Sequence, residues 1–178
     1  VNENSFFYSN YFLPATDIYG DYDLQLELGV SNGIIYTISV SGFNVPNYYL
    51  SEFLLANGQP DEIWVFTNSV NPTGIDKIGF LVSLYYKEKQ MIATYGRGQA
   101  TIGDEWLTGC IMYSPSLKIW TWNESFKVPE TAFNGLDVIR TSWKSISEAT
   151  QGALDPDKFY QSFSNSDMEP CFQTPKNI

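Results

Sequence analysis

Histidine is absent from this chain of 178 residues. Without an imidazole, a serine or cysteine nucleophile has no histidine base, and a metal ion has no histidine ligand. Cysteine is scarce as well: Cys110 and Cys171 are too few for a four-thiolate zinc site. These absences exclude much of the common hydrolase and zinc chemistry. We therefore expect no catalytic residues, no metal site and no cofactor, and a non-catalytic protein is favoured.

Positive charge is missing from the first 76 residues. The formal net charge of the chain is -10, and this N-terminal part has no Lys or Arg. Because a nucleic-acid interface needs cations opposite the phosphates, we expect no nucleic-acid partner. The acids form either a solvated face or a contact surface for another protein. They are Glu3, Asp17, Asp21, Asp23, Glu27, Glu52, Asp61, Glu62 and Asp76.

Long hydrophobic runs are also missing. A membrane-spanning helix needs about 18 or more consecutive apolar residues, and the sequence has no such run, so we expect no transmembrane segment. The chain begins at Val1 rather than Met, so we expect a mature product from which a leader has gone or a recombinant fragment.

Aromatic residues are abundant, with 12 Phe, 12 Tyr and 5 Trp, and they suit strands. Apolar alternation over 24–28 predicts a strand, and Asn32-Gly33 predicts a hairpin turn into a return strand over 34–43. A second hairpin is predicted from 80–86 to 90–95. A third is predicted from 106–113 to 117–122. Residues 63–67 form a further predicted strand, and 68–76 a loop.

Three helices are predicted. Leu50, Phe53 and Leu54 share one helical face, with Asn47 as a cap and Gly58 as the end. Asp155-Pro156 starts a short C-terminal helix. Between them, an apolar stripe predicts a helix that ends near Gly152; its residues are Leu136, Ile139, Trp143 and Ile146.

Adjacent hairpins favour an α+β fold, an antiparallel sheet with two or three helices packed on it. We expect a single globular domain over 1–178, with an irregular N-terminal arm (1–20) and a C-terminal tail (164–178) that is coil. A Cys110–Cys171 disulfide would tie this tail to a strand and would require an oxidising compartment. We therefore expect a secreted protein, extracellular or in the cell envelope; a pair of buried thiols is the alternative.

Two tryptophans are the main binding candidates. Trp120 and Trp122 alternate along a predicted strand, so both indoles project from one face, about 7 Å apart. If exposed, they form a stacking platform for sugar or peptide; if buried, they belong to the core. The core interpretation is favoured, because exposed apolar patches are rare in monomers.

Two groups of carboxylates are weaker candidates. Asp17, Asp21 and Asp23 lie close together in sequence, and hard oxygen ligands suit calcium, but their spacing differs from the EF-hand loop. Adventitious clustering is favoured there. Acids beside the predicted third hairpin resemble the carboxylate pairs of glycoside hydrolases, although acids at strand ends are usually solvated; they are Asp104, Glu105 and Glu124.

The run from Tyr49 to Trp64 has a helix, a Gly-x-Pro turn and a following strand. In this it resembles the small bacterial lipoproteins of outer-membrane assembly and the β-lactamase-inhibitor-protein-like modules. The resemblance implies a helix laid on an antiparallel sheet and a role in protein contacts. The leading hypothesis is therefore a non-catalytic binding or structural module of the bacterial cell envelope that contacts another protein. The alternative is a carbohydrate-binding protein or a carboxylate-dependent glycoside hydrolase.

Overall fold

The computed structural model describes residues 6–17, 20–31, 33–43, 49–70, 77–96, 99–111, 116–123, 143–165 and 171–175. The strands are β1 Phe6–Asp17, β2 Gly20–Ser31, β3 Ile34–Phe43, β4 Glu62–Val70, β5 Lys77–Tyr86, β6 Met91–Gly96, β7 Gln99–Ile102, β8 Trp106–Cys110, β9 Ser116–Trp122, β10 Lys144–Ser145 and β11 Cys171–Pro175. The helices are α1 Leu50–Asn57, α2 Ile146–Ala149 and α3 Pro156–Phe163.

The described strands form two antiparallel sheets. The large sheet has eight strands in the order β1-β2-β3-β9-β6-β5-β4-β10, and the small sheet has the order β11-β8-β7. The predicted α+β class, with an antiparallel sheet built from hairpins, is confirmed. Within the described part of the chain, no helix has the length and apolar character needed to cross a membrane.

Two predicted hairpins are confirmed. β2 and β3 pair in antiparallel register, and Gly33 between them has φ +75°, a conformation that glycine adopts without strain. β5 pairs with β6 through a turn that ends at Gln90, whose φ is +50°. Local turn chemistry therefore sets both registers.

The hydrophobic core lies between one face of the large sheet and α1. Leu50, Phe53 and Leu54 of α1 are buried, as the apolar spacing predicts. The Phe53 ring makes edge-to-face contacts with Tyr86 and Tyr95, each at 6.1 Å between ring centroids. The helix ends at Gly58, with φ +78°, and its N-cap is Tyr49; the predicted cap, Asn47, lies outside the described residues.

The small sheet and α3 extend this core. Phe80 of the large sheet packs edge-to-face on Phe172 of β11 at 5.0 Å, and Phe159 of α3 packs on Phe172 at 6.1 Å. A Cβ at Gly109 of β8 would overlap the Phe80 ring, so the absence of a side chain there permits the close packing. Burial of each large apolar side chain stabilises the fold by roughly 1.5–3 kcal/mol.

The third predicted hairpin is wrong. β8 belongs to the small sheet between β11 and β7, whereas β9 lies in the large sheet between β3 and β6. Apolar alternation identifies each segment as a strand but carries no information about its partner. Asp104 and Glu105 consequently lie between β7 and β8, on the small sheet, and Glu124 is outside the described residues.

The expected irregular arm and coil tail are also wrong where the structure describes them. Residues 6–17 form β1, which pairs with β2 along its whole length. Residues 171–175 form β11, which pairs with β8. Both segments lack clear apolar alternation, and pairing with a neighbour supplies the backbone hydrogen bonds instead.

The C-terminal helices are partly as predicted. Asp155 caps α3 and Pro156 occupies its first turn, as expected. The apolar stripe does not continue through Trp143 as a helix. Ser145 and Glu148 form a capping box that starts α2 at Ile146, preceded by the two-residue strand β10. A Ser-x-x-Glu box fixes a helix start and overrides the longer apolar spacing.

Two further details follow from the described residues. The predicted strand at 63–67 is confirmed, but β4 extends to Val70 and therefore takes up the start of the predicted loop at 68–76. Residues 71–76, Leu136 and Ile139 lie outside the described residues.

Candidate binding face on the large sheet

The candidate site lies on the face of the large sheet opposite the core. Ile119 packs against the core, so its neighbours Trp120 and Lys118 project to the other side. Trp122 follows at the next alternate position, and Tyr85 lies between core residues on β5. We name the set Tyr85, Lys118, Trp120 and Trp122 the aromatic face.

Strand register places the aromatic face in continuous rows across the sheet. In one row Trp120 is opposite Ser39 on β3 and opposite Ile92 on β6, and Ile92 is opposite Tyr85. On β2 the row reaches Glu27, which is opposite Asn10 on β1, and on β4 it reaches Glu62. The row therefore runs across seven strands of the large sheet.

Two rings of the aromatic face lie parallel. The centroids of Tyr85 and Trp122 are 6.1 Å apart, with 10° between the ring planes. Both side chains are partly exposed. Their contact restricts both rings before any partner binds, which lowers the entropy lost on binding.

Lys118 organises the other indole. Its Nζ lies 4.4 Å from the centroid of the Trp120 ring and 3.8 Å from Glu27 Oε2. Ser39 Oγ donates to the same carboxylate oxygen at 3.3 Å. Such an exposed ion pair contributes at most about 1 kcal/mol to stability. Its main effect is to orient the Trp120 ring and to place a charge of each sign beside it.

Polar and aromatic groups continue toward β4. The hydroxyls of Ser83 and Thr94 lie 2.6 Å apart, in a row with Lys118. Trp64 is the next residue of this row, and its Nε1 donates to Glu62 Oε2 at 2.9 Å. Ser83 is buried, whereas Thr94 and Trp64 are partly exposed and Glu62 is exposed, so the accessible groups here are a hydroxyl, an indole and a carboxylate.

Trp120 and Trp122 lie between the two sequence-based alternatives. Neither is among the residues of the hydrophobic core, and each is partly rather than fully exposed, so neither alternative describes them completely. Sequence reasoning missed Tyr85 and Lys118. The Lys-x-Trp-x-Trp alternation could have placed Lys118 on the face, whereas Tyr85 requires the strand order.

The carboxylates of the row are poorly placed for paired acid–base chemistry. Glu27 and Glu62 are five strand spacings apart, about 24 Å, whereas glycoside hydrolysis needs roughly 5–9.5 Å. Asp104 and Glu105 are exposed beside the small sheet. Asp104 and Glu105 are therefore separate from the aromatic face, which lies on the large sheet.

Asp17, Asp21 and Asp23 lie where β1 turns into β2. Their register partners are Gly20, Thr16 and Pro14, in that order. Among the residues that the structure describes, no group of three or more Cys, Asp or Glu can hold a metal ion. Asp17, Asp21 and Asp23 are spread along two paired strands.

The predicted disulfide is confirmed. Cys110 and Cys171 are bonded, directly opposite each other in the register of β8 and β11. The bond links the last described strand to the middle of the small sheet. Disulfides persist in oxidising compartments, so the bond agrees with the expected secreted character.

Comparisons of the chain with protein-family models, with curated proteins and with solved structures give no match. The helix, turn and strand expected over 49–64 are present as α1 and the start of β4. Membership of the lipoprotein or inhibitor-like groups stays a prediction.

Proposed function

We propose that this protein is a non-catalytic binding module of the bacterial cell envelope that contacts another protein through the aromatic face. The observation that carries the proposal is the position of Tyr85, Trp120 and Trp122, partly exposed together on the sheet face opposite the core. Trp and Tyr dominate the binding energy of protein interfaces, because they bury a large area at a small cost in rotamer entropy.

The order already present on the face supports this function. Tyr85 holds Trp122 and Lys118 holds Trp120, so a partner meets rings whose positions are already restricted. Glu27 and Lys118 offer one charge of each sign at the edge of the rings. Such groups give an interface its specificity and register more than its affinity. The disulfide supports an oxidising compartment such as the envelope.

The test compares Trp122→Ala with Trp106→Ala. Trp106 is a matched control because it is 38% exposed but lies on β8 in the small sheet. Envelope extract is passed over immobilised wild type and variants, and the captured proteins are identified and their affinities measured. We expect Trp122→Ala to weaken a specific partner about 30-fold, as loss of a hot spot does, and Trp106→Ala to leave its affinity unchanged. Equal affinity for wild type and Trp122→Ala would contradict the proposal.

Carbohydrate binding is the second candidate, and the near-parallel Tyr85 and Trp122 rings favour it. Partly exposed aromatic rings such as these can stack on the apolar faces of sugars. Titration of soluble glycans against tryptophan fluorescence distinguishes the two functions. A response in wild type that is lost in Trp122→Ala, together with no captured protein, would replace the protein partner by a glycan.

A further inference from the structure

The β1 strand offers a long sheet edge. β1 ends the order of the large sheet, and its twelve residues all pair with β2 on one side. No residue in the described ranges pairs with its other side. At about 3.4 Å per residue this edge is about 40 Å long. It presents alternate backbone N–H and C=O groups that another strand can pair with.

β1 is the longest edge strand among those that the structure describes. The edge strands β10, β7 and β11 have two, four and five residues, and β10 pairs with only Trp64 and Val65 of β4. Natural proteins protect edges by making them short, by bulges, or by placing charged residues or proline on them. β1 pairs with β2 without a register shift, and its one charged residue is Asp17 at its end. Pro14 and Asp17 are its protective residues.

Acids lie one strand away from this edge. Asp21, Asp23 and Glu27 of β2 are in register with Thr16, Pro14 and Asn10 of β1, and Glu27 is also ion-paired with Lys118 of β9. A strand added to β1 would lie two strand spacings from them, about 10 Å, which exceeds the Debye length of about 8 Å at physiological salt, so the electrostatic selection is weak there and grows at low salt. Residues 1–76 contribute no cation of their own. The edge therefore repels an acidic strand and attracts a basic one.

We propose that the free edge of β1 accepts an extended segment of another protein, rich in Lys or Arg, as an additional antiparallel strand. Backbone hydrogen bonds supply the pairing, and the β2 acids select the charge. A second copy of this chain fits the edge poorly, because it would bring two β2 strands with acids at the same positions together. The edge is separate from the aromatic face, so either proposal can fail without the other.

The test is a proline scan over Ser9, Asn10, Tyr11 and Phe12, one position at a time. Successive N–H groups along a strand point to opposite edges, so two of the four prolines remove a bond to β2 and two remove a donor from the free edge. The probe is a ten-residue peptide in which Lys alternates with Val, and the matched probe carries Glu in place of Lys. Melting temperature and peptide affinity are measured for each variant.

We expect an alternating pattern. Two variants melt at lower temperature, and the other two melt like wild type but bind the Lys peptide about tenfold more weakly. The Glu peptide should bind wild type at least about tenfold more weakly than the Lys peptide does. Unchanged affinity in every stable proline variant would overturn the proposal. So would a wild-type dimer that the proline variants abolish, since the occupant would then be a second copy.

A charge variant keeps the test decisive if all four prolines unfold the protein. Ser9→Lys with Asn10→Lys adds two cations to the edge and should weaken the Lys peptide about tenfold. Gln161→Lys with Gln173→Lys adds the same charge at exposed positions in α3 and β11 and should leave the affinity within about twofold. Equal effects of the two pairs would mean that overall charge alone binds the peptide, and would overturn the proposal.

Discussion

Tyr86 shows how much one polar atom contributes to the core. Its side chain is 3% exposed, and its hydroxyl donates to the Gly58 carbonyl at 3.0 Å, which joins β5 to the end of α1. Burial raises the pKa of Tyr86 well above its usual range, and the nearby Tyr160 and Asp61 raise the pKa further. The folded protein therefore favours the neutral phenol. This contribution to stability is present below about pH 10 and is lost as the pH rises toward the folded pKa.

Tyr86→Phe is expected to lower the free energy of unfolding by about 1 kcal/mol at pH 7, because Gly58 loses its donor. The variant should also lose less stability than wild type between about pH 9 and 11, since position 86 no longer ionises. Urea unfolding at both pH values checks this. Tyr49→Phe, at an exposed side chain, serves as the control. An alkaline loss of equal size in Tyr86→Phe and wild type would contradict this explanation.

Single residues were predictable where their chemistry is local. Gly33 and Gly58 have the positive φ that their turn and helix end require, and the sequence alone indicates both. Gly109 is different, because its lack of a side chain allows the Phe80 ring of the other sheet to pack closely against β8. No neighbour in sequence signals that contact. The parallel contact of Tyr85 with Trp122 could not be predicted either, because the two residues are far apart in sequence.

At the scale of elements, α3 depends on its first residues. Asp155 Oδ1 accepts from the Lys158 amide at 2.8 Å, and this hydrogen bond is the main reason that the pKa of Asp155 is lowered. A lowered pKa adds stability above the ordinary carboxyl range, and this stability is lost as the pH falls through the folded pKa. The helix carries Phe159, fully buried against Phe172, so its start affects the core.

Asp155→Ala is expected to lower the melting temperature at pH 7, because the cap is lost. Asp155→Asn keeps an acceptor of similar quality and should lower the melting temperature less. Thermal unfolding measured from pH 7 to pH 3 distinguishes the effect of the capping hydrogen bond from the effect of the carboxylate charge. Both variants should lose less stability than wild type in acid. Equal losses in Asp155→Asn and Asp155→Ala would show that charge, and not capping, stabilises α3.

Elements were predicted well when both partners are neighbours in the chain. The β2–β3 and β5–β6 hairpins and the start of α3 each follow from a few adjacent residues. β8 and β9 were paired wrongly because each finds its partners far away in sequence. The capping box at Ser145 was readable from the sequence, but the apolar stripe through Trp143 favoured a longer helix.

At the scale of the whole molecule, the disulfide holds the last described strand. Cys110 and Cys171 are 61 positions apart, and a link that closes such a loop stabilises a fold by about 4 kcal/mol in the chain-entropy model. β11 also places Phe172 against Phe80 and Phe159. Loss of the disulfide therefore makes it easier for β11 to detach and expose this part of the core to solvent.

The double variant Cys110→Ser/Cys171→Ser is expected to lower the free energy of unfolding by roughly 2–5 kcal/mol. Reductant should destabilise wild type by a similar amount and leave the double variant unchanged. Urea unfolding with and without reductant measures both effects. Hydrogen exchange of residues 171–175 should rise first, because only pairing with β8 and the packing of Phe172 then hold the strand. Unchanged stability of the reduced wild type would refute this role.

The strand order of the large sheet determines when its parts can assemble during synthesis. Strands β1-β2-β3 and β4-β5-β6 are two meanders of sequential neighbours, and β9 alone joins them, between β3 and β6. A ribosome delivers both meanders well before residues 116–122 emerge. Until then each exposes an unpaired edge, and closure waits on contacts of high contact order, which form slowly. The two meanders should therefore join into one sheet only when β9 inserts between them, and a chaperone that shields β3 and β6 would act in the interval before that.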